Sequence, residues 1–518
     1  MPAPADPLVV ATESGPVRGQ AQDGARVFLG IPYAAPPVGE RRWRPPAPPE
    51  AWSGTRDAAA LGPECPGTLP VLNAPVGDDE DCLSLNVVTP DPAPASAPVM
   101  VWIHGGGFIS RDSLFAGVTR GDRLAASGGV VVVSFNYRLG PLGFLAHPAL
   151  PAENPGDPSS GNYGIADQIA ALQWVQRNIA GFGGDPGNVT IFGQSAGGWS
   201  VCVHLASRRS SGLFHRAIVQ SGVCTLPLPS LDVAEQQGER LAESLGCGAA
   251  EAADEIACLR AASPRALREA LPPNPSIFLT EGDWALWRPV VDGVLLSEQV
   301  ASAFAAGRAN RVPLLAGSNR DEGTFFVLAA HEYRGEPLSA ALYPDRLGVV
   351  YGETFASEIA RQYPLASFAS PAAALAEAVG DGLIACPTIE AARLLAPSTP
   401  TYLYELGDRD LPYALGPPVR IDLDPGAFHS AEIPLVFGVP EMGEFDQTAA
   451  LLSESMLGAW ARFAATGDPN GGRLLPWPRF DPVARDVLVF DSESEVRGER
   501  VDRCDFWQSL DRGEMPLR

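Results

Sequence analysis

Short apolar runs alternate with longer stretches of helical character along most of this chain. The runs that read as buried strands lie at residues 99–103, 130–135, 189–192, 217–220 and 312–316. Strands and helices that alternate in this way usually form a parallel sheet covered by helices on both faces. The pattern therefore predicts an α/β fold with a mainly parallel central sheet flanked by helices.

The remaining segments complete the predicted architecture. Three short strand-like pieces are expected to form an antiparallel N-terminal edge of the sheet. They lie at residues 8–12, 17–19 and 27–29. Residues 225–310 and 330–420 are rich in Ala, Leu and Glu, and we expect them to be helical insertions over the functional site. The candidate functional residues extend from position 195 to position 429, so we predict a single domain over residues 1–518.

The most informative stretch is GQSAGG at residues 193–198. An apolar, β-rich segment precedes it, and residues 199–205 can form a helix. A serine between glycines at a strand-to-helix turn is typical of a nucleophile elbow, in which a strained turn exposes the hydroxyl. Glycines are needed there because side chains would crowd the turn. Ser195 is therefore the candidate nucleophile.

A second glycine-rich segment, HGGG at residues 104–107, follows the predicted strand at residues 99–103. The peptide N–H groups of such a loop can approach a developing negative oxygen without interference from side chains, as in HGGG-type esterases and lipases. Because this loop and the elbow occur in the order that such enzymes require, the loop is predicted to form an oxyanion hole.

A serine nucleophile needs a base, and the chain has six histidines. The chain order of elbow hydrolases is serine, acid, histidine, which leaves three candidates. His215 follows the serine too closely to leave room for an acid strand. His331 lies in a segment that reads as helical surface. His429 lies in a loop that enters an apolar segment, so it is the candidate base.

The orienting acid is predicted within NRDEGTFF at residues 319–326, which follows a strand-like run at residues 312–317. Asp321 and Glu322 both offer a carboxylate close to the end of this strand. The chemistry of the two residues does not separate them, so both stay candidates on this evidence.

Further motifs extend along nearly the whole chain. They are FLGIPYA at 28–34, PPVG at 36–39, EDCLSLNV at 80–87, NYRLG at 136–140, DQ at 167–168, WV at 174–175, FGGDP at 182–186 and QSG at 220–222. With this set the chain resembles the type-B carboxylesterases, the cholinesterase-like branch of the α/β-hydrolases, and among them the bacterial para-nitrobenzyl-esterase type. The resemblance implies an α/β-hydrolase fold and a serine carboxylesterase that forms an acyl-enzyme intermediate and needs no metal or organic cofactor.

The resemblance also implies roles for individual residues. The acid of the family is the glutamate of a DEG segment, which selects Glu322, and the histidine position of the family is occupied by His429. The oxyanion donors that carry over are the N–H groups of Gly106, Gly107 and Ala196.

Three positions around this predicted triad also correspond to family positions. Ser221 and Glu432 are expected to support the region of the histidine. The residue before the nucleophile is usually glutamate in the family, whereas here it is Gln194. A neutral amide keeps the capacity for hydrogen bonds but removes one negative charge. We expect this change to alter cation preference and the titration of the histidine more than the basic chemistry.

The chain has eight cysteines, and the resemblance implies three disulfides, Cys65–Cys82, Cys247–Cys258 and Cys386–Cys504. The two remaining residues, Cys202 and Cys224, are expected to be buried free thiols. Three disulfides indicate an oxidising compartment, which favours a secreted or periplasmic protein. The first residues have neither the basic nor the apolar region of a signal peptide, so a cytoplasmic protein with reduced thiols is the alternative.

The charge and the composition exclude several classes of partner. With 37 basic and 61 acidic residues the formal net charge is −24, which argues against nucleic acid and anionic membranes. No apolar run approaches the roughly 20 residues that span a bilayer. The histidines and cysteines lack the spacing of a metal site. The expected partner is a small-molecule ester, and the oligomeric state is not predicted.

The predicted substrate preference depends on two segments. In cholinesterases the loop between the first two cysteines carries a tryptophan that stacks on choline, but PGTLPVLNAP at residues 66–75 has no aromatic residue. The cation–π platform is missing, so acetylcholine is not expected to be a substrate. The loop residues Leu69, Val71 and Leu72 are expected at an apolar mouth, and aromatic residues within 276–287 at an acyl pocket.

We accordingly predict an esterase for short to medium acyl chains and a broad range of alcohols, including bulky or aromatic ones. One alternative is a hydrolase dedicated to a special ester or carbamate, such as a polyester or a toxin ester. A less favoured alternative is a non-catalytic, cholinesterase-like binding protein.

Overall fold

The computed structural model describes residues 6–69, 74–110, 112–248, 251–271, 287–331, 336–411, 423–440, 444–472 and 474–510. Its strands are β1 (Val9–Thr12), β2 (Gly15–Arg18), β3 (Gln20–Gln22), β4 (Ala25–Pro32), β5 (Arg56–Asp57), β6 (Gly67–Leu69), β7 (Ala74–Val76), β8 (Ser84–Pro90), β9 (Ala97–Ile103), β10 (Val131–Phe135), β11 (Gly184–Gln194), β12 (Arg216–Gln220), β13 (Leu314–Asn319), β14 (Thr401–Leu406), β15 (Val487–Phe490) and β16 (Glu495–Arg497). Its α-helices are α1 (Asp122–Gly128), α2 (Gly140–Phe144), α3 (Leu150–Glu153), α4 (Tyr163–Asn178), α5 (Ala196–Ala206), α6 (Leu231–Ser244), α7 (Ala252–Ala261), α8 (Pro264–Ala270), α9 (Val300–Ala305), α10 (Glu322–Ala330), α11 (Tyr343–Tyr351), α12 (Glu353–Gln362), α13 (Pro371–Val379), α14 (Cys386–Leu395), α15 (Glu432–Phe437), α16 (Gln447–Thr466) and α17 (Glu499–Ser509).

The main sheet has eleven strands in the order β16-β15-β14-β13-β12-β11-β9-β10-β8-β4-β3. The strands from β15 to β10 in this order pair in parallel. Antiparallel pairs continue the sheet on both sides. Helices cover it, so the predicted α/β fold with a mainly parallel central sheet is confirmed.

Each face of the sheet contributes to a separate hydrophobic core. Within β9, Val99, Val101 and Ile103 belong to one core, which also contains residues of α4 and α5. Met100 and Trp102 belong to the other, which contains residues of α15 and α16. Because side chains of a strand point alternately to its two faces, an all-apolar strand can serve both cores. This explains why the central strands read as continuous apolar runs.

The N-terminal edge differs in part from the prediction. β4 and β3 do extend the main sheet with antiparallel pairing. However, β2 pairs with β1 on one side and with β5 on the other, in a separate sheet of three strands. The chain passes between the two sheets at Gly19, where a Cβ would lie 2.5 Å from the carbonyl oxygen of Val27.

The two regions that were predicted to be helical insertions do contain several helices each. Residues 225–310 include α6 to α9, and residues 330–420 include α11 to α14. The second region also holds β14, a fully buried strand between β13 and β15, so it is not purely helical. The sequence analysis missed this short strand because the region of about ninety residues around it is rich in Ala and Leu, a composition that favours helix.

One continuous helix in the described chain, Pro371–Leu395, is long and apolar enough to cross a membrane. It comprises α13, a π-helical segment at Gly380–Ala385 and α14. Of its most apolar window, 89% is buried inside the protein. Its hydrophobicity is therefore accounted for by packing in the core.

The structure contains the three disulfides that the family resemblance implies, Cys65–Cys82, Cys247–Cys258 and Cys386–Cys504. The prediction of free thiols at Cys202 and Cys224 is wrong, because these residues form a fourth disulfide. Cys202 lies on α5 and Cys224 follows β12, and these two elements pack together. The packing brings the two Cα atoms to 5.5 Å, a normal separation for a disulfide.

The disulfide Cys386–Cys504 joins residues 118 positions apart and ties α17 to α14. We expect the double variant Cys386→Ser/Cys504→Ser to lose about 5 kcal/mol of stability, because a long loop is no longer closed in the unfolded chain. The measurement is the thermal midpoint of unfolding without reductant. The matched control removes Cys247–Cys258, separated by 11 positions, and should cost only about 3 kcal/mol. An equal or larger loss in the control would contradict the prediction.

Candidate active site

Ser195 occupies the turn between β11 and α5. Its backbone has φ 59° and ψ −124°, a strained conformation for a residue with a side chain. Its N–H donates to the carbonyl oxygen of Gln220 at 2.9 Å, which connects the turn to β12. Within residues 191–200, only Ser195 is partly exposed, while the others are buried. The fold therefore presents this hydroxyl to solvent, as the elbow motif predicts.

Glycines permit close backbone packing at this turn. A Cβ on Gly197 would lie 1.9 Å from the carbonyl oxygen of Ile103, and one on Gly193 would lie 2.5 Å from the carbonyl carbon of Gly197. A contact with backbone atoms cannot be relieved by rotating a side chain. The glycines of the motif are thus required for α5 to start directly beside the end of β9.

The glycine loop after β9 lies against the elbow. A Cβ on Gly105 would be 3.1 Å from the Cβ of Ser195. The following residues, Gly106 and Gly107, have φ of 100° and 64°, values that favour glycine. Within the described chain, the N–H groups of Gly106, Gly107 and Ala196 donate to no other residue. These three groups are therefore available to an oxygen atom of a ligand.

His429 lies in the loop before α15, and its imidazole is bonded to a carboxylate. Nδ1 lies 2.5 Å from Oε2 of Glu322, and both side chains are buried. Because an ionised carboxylate can only accept, Nδ1 is the protonated nitrogen and donates this bond. The ring of Phe326 lies 5.0 Å from the imidazole. With its proton on Nδ1, the imidazole offers Nε2 as an acceptor.

Glu322 is the first residue of α10 and is completely buried. Its second carboxylate oxygen, Oε1, accepts from the hydroxyl of Ser221 at 2.5 Å and from the N–H of Asn319 at 2.7 Å. With the bond from His429, the carboxylate has three donors. This satisfies a buried negative charge that would otherwise be very costly.

Asp321, the other candidate acid, has a different environment. Its carboxylate accepts the N–H of Ala427 at 2.9 Å and pairs with Arg409 at 3.0 Å. Asp321 thus supports the loop that carries the histidine, whereas Glu322 is the carboxylate that contacts His429.

A second buried carboxylate, Glu432, lies near the first. It accepts from the side-chain amides of Gln220 at 3.1 Å and Asn319 at 2.7 Å. Burial raises the pKa of Glu432, as does the charge of Glu322, although the bond from Asn319 opposes this. The amide of Asn319 also donates to the carbonyl oxygen of Phe428 at 2.8 Å. Glu432 and Asn319 therefore brace the residue that precedes the histidine.

Sequence reasoning assigned no role to Gln220 or Asn319, although both lie in segments that it quoted, QSG at 220–222 and NRDEGTFF at 319–326. Membership of these segments was the only signal, because neither residue type is characteristic of a serine-hydrolase site. Their role depends on the ends of β12 and β13 being neighbours in the sheet.

Sequence reasoning also missed a series of buried hydrogen bonds next to the elbow. His204 Nε2 lies 2.8 Å from Oε1 of Gln168, whose amide donates to the hydroxyl of Ser200 at 3.0 Å. Ser200 in turn donates to the carbonyl oxygen of Ala196 at 3.0 Å. Burial lowers the pKa of His204 to about 3, so this histidine is neutral at physiological pH. This series of hydrogen bonds links α4 to the first turn of α5.

Gln194 contacts the free side of the imidazole. Its amide Nε2 lies 3.1 Å from Nε2 of His429, and the side chain is buried. Among the hydrogen bonds of the described residues, none joins the hydroxyl of Ser195 to His429. The structure thus places Gln194, predicted as a supporting residue, directly on the predicted base.

The other two candidate histidines have structural contacts. Nδ1 of His215 accepts the N–H of Val189 at 3.1 Å. His331 is buried, so the prediction that it lies on a helical surface is wrong. It directly follows α10, a helix that packs against α13.

Several residues predicted to shape the substrate site fall outside the described chain. They are Val71, Leu72 and residues 276–286, together with the side chain of Leu69. Trp287 is described and is buried. In the described residues, no group of three or more His, Cys, Asp or Glu side chains has an arrangement that could hold a metal ion.

A partly exposed serine on an elbow, free loop N–H groups and an imidazole–carboxylate pair define a serine hydrolase of the α/β-hydrolase fold. Comparison with known proteins agrees, because residues 6–507 match the Carboxylesterase family. The chain belongs to the carboxylesterase family and is a carboxylic-ester hydrolase.

Two relatives and one solved structure indicate how close this similarity is. The chain is 38% identical to a fumonisin B1 esterase of Sphingopyxis macrogoltabida, over 94% of this chain and 87% of that protein. It is 34% identical to a para-nitrobenzyl esterase of Bacillus subtilis, over 95% and 96% of the two chains. A solved PNB esterase superimposes with a TM-score of 0.80 at 33% identity, covering 96% of this chain and 100% of the other.

The packing of the elbow predicts that Gly197→Ala is not tolerated. Its Cβ would meet the backbone of Ile103 at 1.9 Å, so α5 must shift, and we expect a loss of about 3 kcal/mol together with most esterase activity. Thermal unfolding and hydrolysis of a nitrophenyl ester measure the two effects. Gly156→Ala is the matched control, because a Cβ there meets nothing within 4 Å. Wild-type stability and activity of Gly197→Ala would contradict this account of the elbow.

Proposed function

We propose that Ser195, His429 and Glu322 form the catalytic triad of this esterase. The observation that carries the proposal is the 2.5 Å contact between His429 and the buried carboxylate of Glu322, in the same fold as an exposed elbow serine. The proposal assigns to Ser195 the attack on the ester carbonyl and to His429 the removal of its proton. Glu322 fixes the tautomer of the imidazole and stabilises the imidazolium that forms.

The N–H groups of Gly106, Gly107 and Ala196 are proposed to bind the oxyanion of the tetrahedral intermediate. Their lack of partners within the described chain supports this role. Ala196 is also the first residue of α5, so its N–H lies at the positive end of a helix dipole. Each such donor contributes about 3–4 kcal/mol to transition-state stabilisation in comparable sites.

Hydrolysis then proceeds in two stages. The imidazolium of His429 donates its proton to the leaving alcohol, which leaves an ester between the acyl group and Ser195. His429 next takes a proton from water, which attacks this acyl-enzyme and releases the acid. The residues proposed for these steps supply the nucleophile, the base and the oxyanion donors.

We propose esters of short to medium acyl chains and bulky or aromatic alcohols as substrates. The rings of Phe325 and Phe326 lie 6.2 Å and 5.0 Å from the imidazole, which supports apolar or aromatic groups near the reaction centre. The buried ring of Trp199 lies one turn after the nucleophile and 5.8 Å from Phe108 of the glycine loop. Bulky side chains so close to the nucleophile favour small acyl groups.

A second candidate is a hydrolase dedicated to a toxin ester. The 38% identity to a fumonisin B1 esterase over nearly the whole chain favours it. The same acyl-transfer machinery serves both candidates, so substrate comparison has to decide between them. For the location, the disulfides support our inference that the protein is exported to the periplasm or secreted.

Substitution of Ser195 tests the proposed nucleophile. Wild-type protein should hydrolyse 4-nitrophenyl acetate and butyrate faster than octanoate and palmitate, and Ser195→Ala should lower kcat/KM by at least about 10,000-fold. Ser211→Ala, which truncates an exposed serine beyond α5, should leave the rates unchanged. Fumonisin B1 belongs in the same series, since a much higher kcat/KM for it would favour the toxin-ester candidate. Wild-type protein that hydrolyses none of these esters would support a binding protein instead.

Substitution of the two adjacent carboxylates shows which of the candidate acids acts on the histidine. Glu322→Gln should lower kcat by about 10,000-fold, because an amide no longer holds the imidazole in its productive tautomer. Asp321→Asn changes the neighbouring carboxylate in the same way and should have a much smaller effect. Both are measured with 4-nitrophenyl acetate. A larger loss in Asp321→Asn than in Glu322→Gln would overturn the assignment.

A further inference from the structure

The side chain of Gln194 contacts the ring nitrogen that has to accept the proton of the nucleophile. Its amide nitrogen lies 3.1 Å from Nε2 of His429, while Nδ1 of the same ring is held by Glu322 at 2.5 Å. A neutral imidazole with its proton on Nδ1 has one lone pair available, on Nε2. Only a donor can bind there, and the amide N–H of Gln194 is that donor.

Ser195 requires the same lone pair. Its hydroxyl has to donate to Nε2 when it attacks the ester, yet no hydrogen bond in the described chain connects the two side chains. One lone pair therefore has two potential donors, and in this structure it accepts from Gln194.

We propose that Gln194 is a positioning residue that holds the free enzyme's His429 neutral and aligned, and gives up Nε2 to Ser195 when an ester binds. The proposal rests on the proposed function, since it takes His429 as the base. It goes further because it assigns to the residue before the nucleophile a hydrogen bond to Nε2 of His429, the atom that receives the proton.

The amide is suited to this role because its N–H binds the lone pair of the neutral ring without adding a charge beside it. A carboxylate at the same place only accepts, so it would bind the imidazolium and not the neutral ring. Glutamine therefore keeps the base neutral at a lower pH than glutamate would.

The other groups around the imidazole make a neutral residue important here. Glu322 of α10 and Glu432 of α15 interact with the imidazole itself. Tyr404 of β14 and Arg500 of α17 interact with these carboxylates, and the ion pair of Asp321 with Arg409 supports the loop that carries the histidine. Two carboxylates are thus already buried near the imidazole. A third carboxylate, placed beside Nε2 by a substitution, would add negative charge in direct contact with the ring and favour the imidazolium.

The test compares Gln194→Glu and Gln194→Met with wild-type protein, using kcat/KM for 4-nitrophenyl butyrate against pH. In Gln194→Glu the midpoint of the acid limb should rise by at least about one pH unit, the usual effect of an opposite charge in contact. In Gln194→Met, which binds neither form of the ring, it should rise by less. A residue that only filled space would change the rate equally at every pH and leave the midpoint in place.

Gln236→Glu is the matched control, because it adds the same charge at an exposed position of α6 and should leave the midpoint unchanged. An active Gln194→Glu enzyme with the wild-type midpoint overturns the proposal. If thermal unfolding shows that Gln194→Glu does not fold, Gln194→Met decides, and an unmoved midpoint in that variant overturns the proposal equally.

A second readout does not depend on turnover. In Ser195→Ala protein, the ring signals of the six histidines can be followed by NMR against pH, and the signal lost in Ser195→Ala/His429→Gln identifies His429. Adding Gln194→Glu should move the titration midpoint of this signal to higher pH, and an unmoved midpoint contradicts the proposal. Absence of esterase activity in wild-type protein would instead refute the proposed function, so the two failures are distinguishable.

Discussion

The buried carboxylate of Glu322 is the interaction around which the site is organised. A fully buried carboxylate is tolerated only when donors satisfy it. Its donors are the hydroxyl of Ser221, the N–H of Asn319 and the imidazole of His429, which come from the ends of β12 and β13 and from the loop before α15. Parallel pairing of β12 and β13 is what brings these ends to one edge of the sheet. The fold and the imidazole–carboxylate pair thus depend on each other.

The same edge is reinforced from the C-terminal part of the chain. Arg500 of α17 donates to the carbonyl oxygen of Asn319 at 2.6 Å and contacts the carboxylates of Asp381 and Glu405. Burial opposes the charge of Arg500, but these carboxylates outweigh that effect and raise its pKa. The disulfide of Cys386 and Cys504 holds α17 in this position. A segment far from the nucleophile in sequence therefore supports the strand end that precedes Glu322.

Short-range features of the site could be read from the sequence, because their physical cause is local. The strained turn at Ser195 needs glycines within two residues, and the loop at Gly106 needs positive φ. Both requirements leave a recognisable pattern. The choice of Glu322 over Asp321 as the acid could not be made from the local sequence. Adjacent carboxylates have the same chemistry, so only the family resemblance separated them before the structure showed which one reaches the histidine.

The mainly parallel α/β architecture, the elbow and the glycine loop follow from the amino-acid sequence, because apolar periodicity and glycine positions encode them within a few residues. Which distant groups meet depends on tertiary packing. It paired Cys202 with Cys224, buried His331, inserted β14 into the sheet and set Gln194 against His429. Each of these contacts depends on the order of strands in the sheet and on the helices that pack upon it, and no local pattern specifies that order.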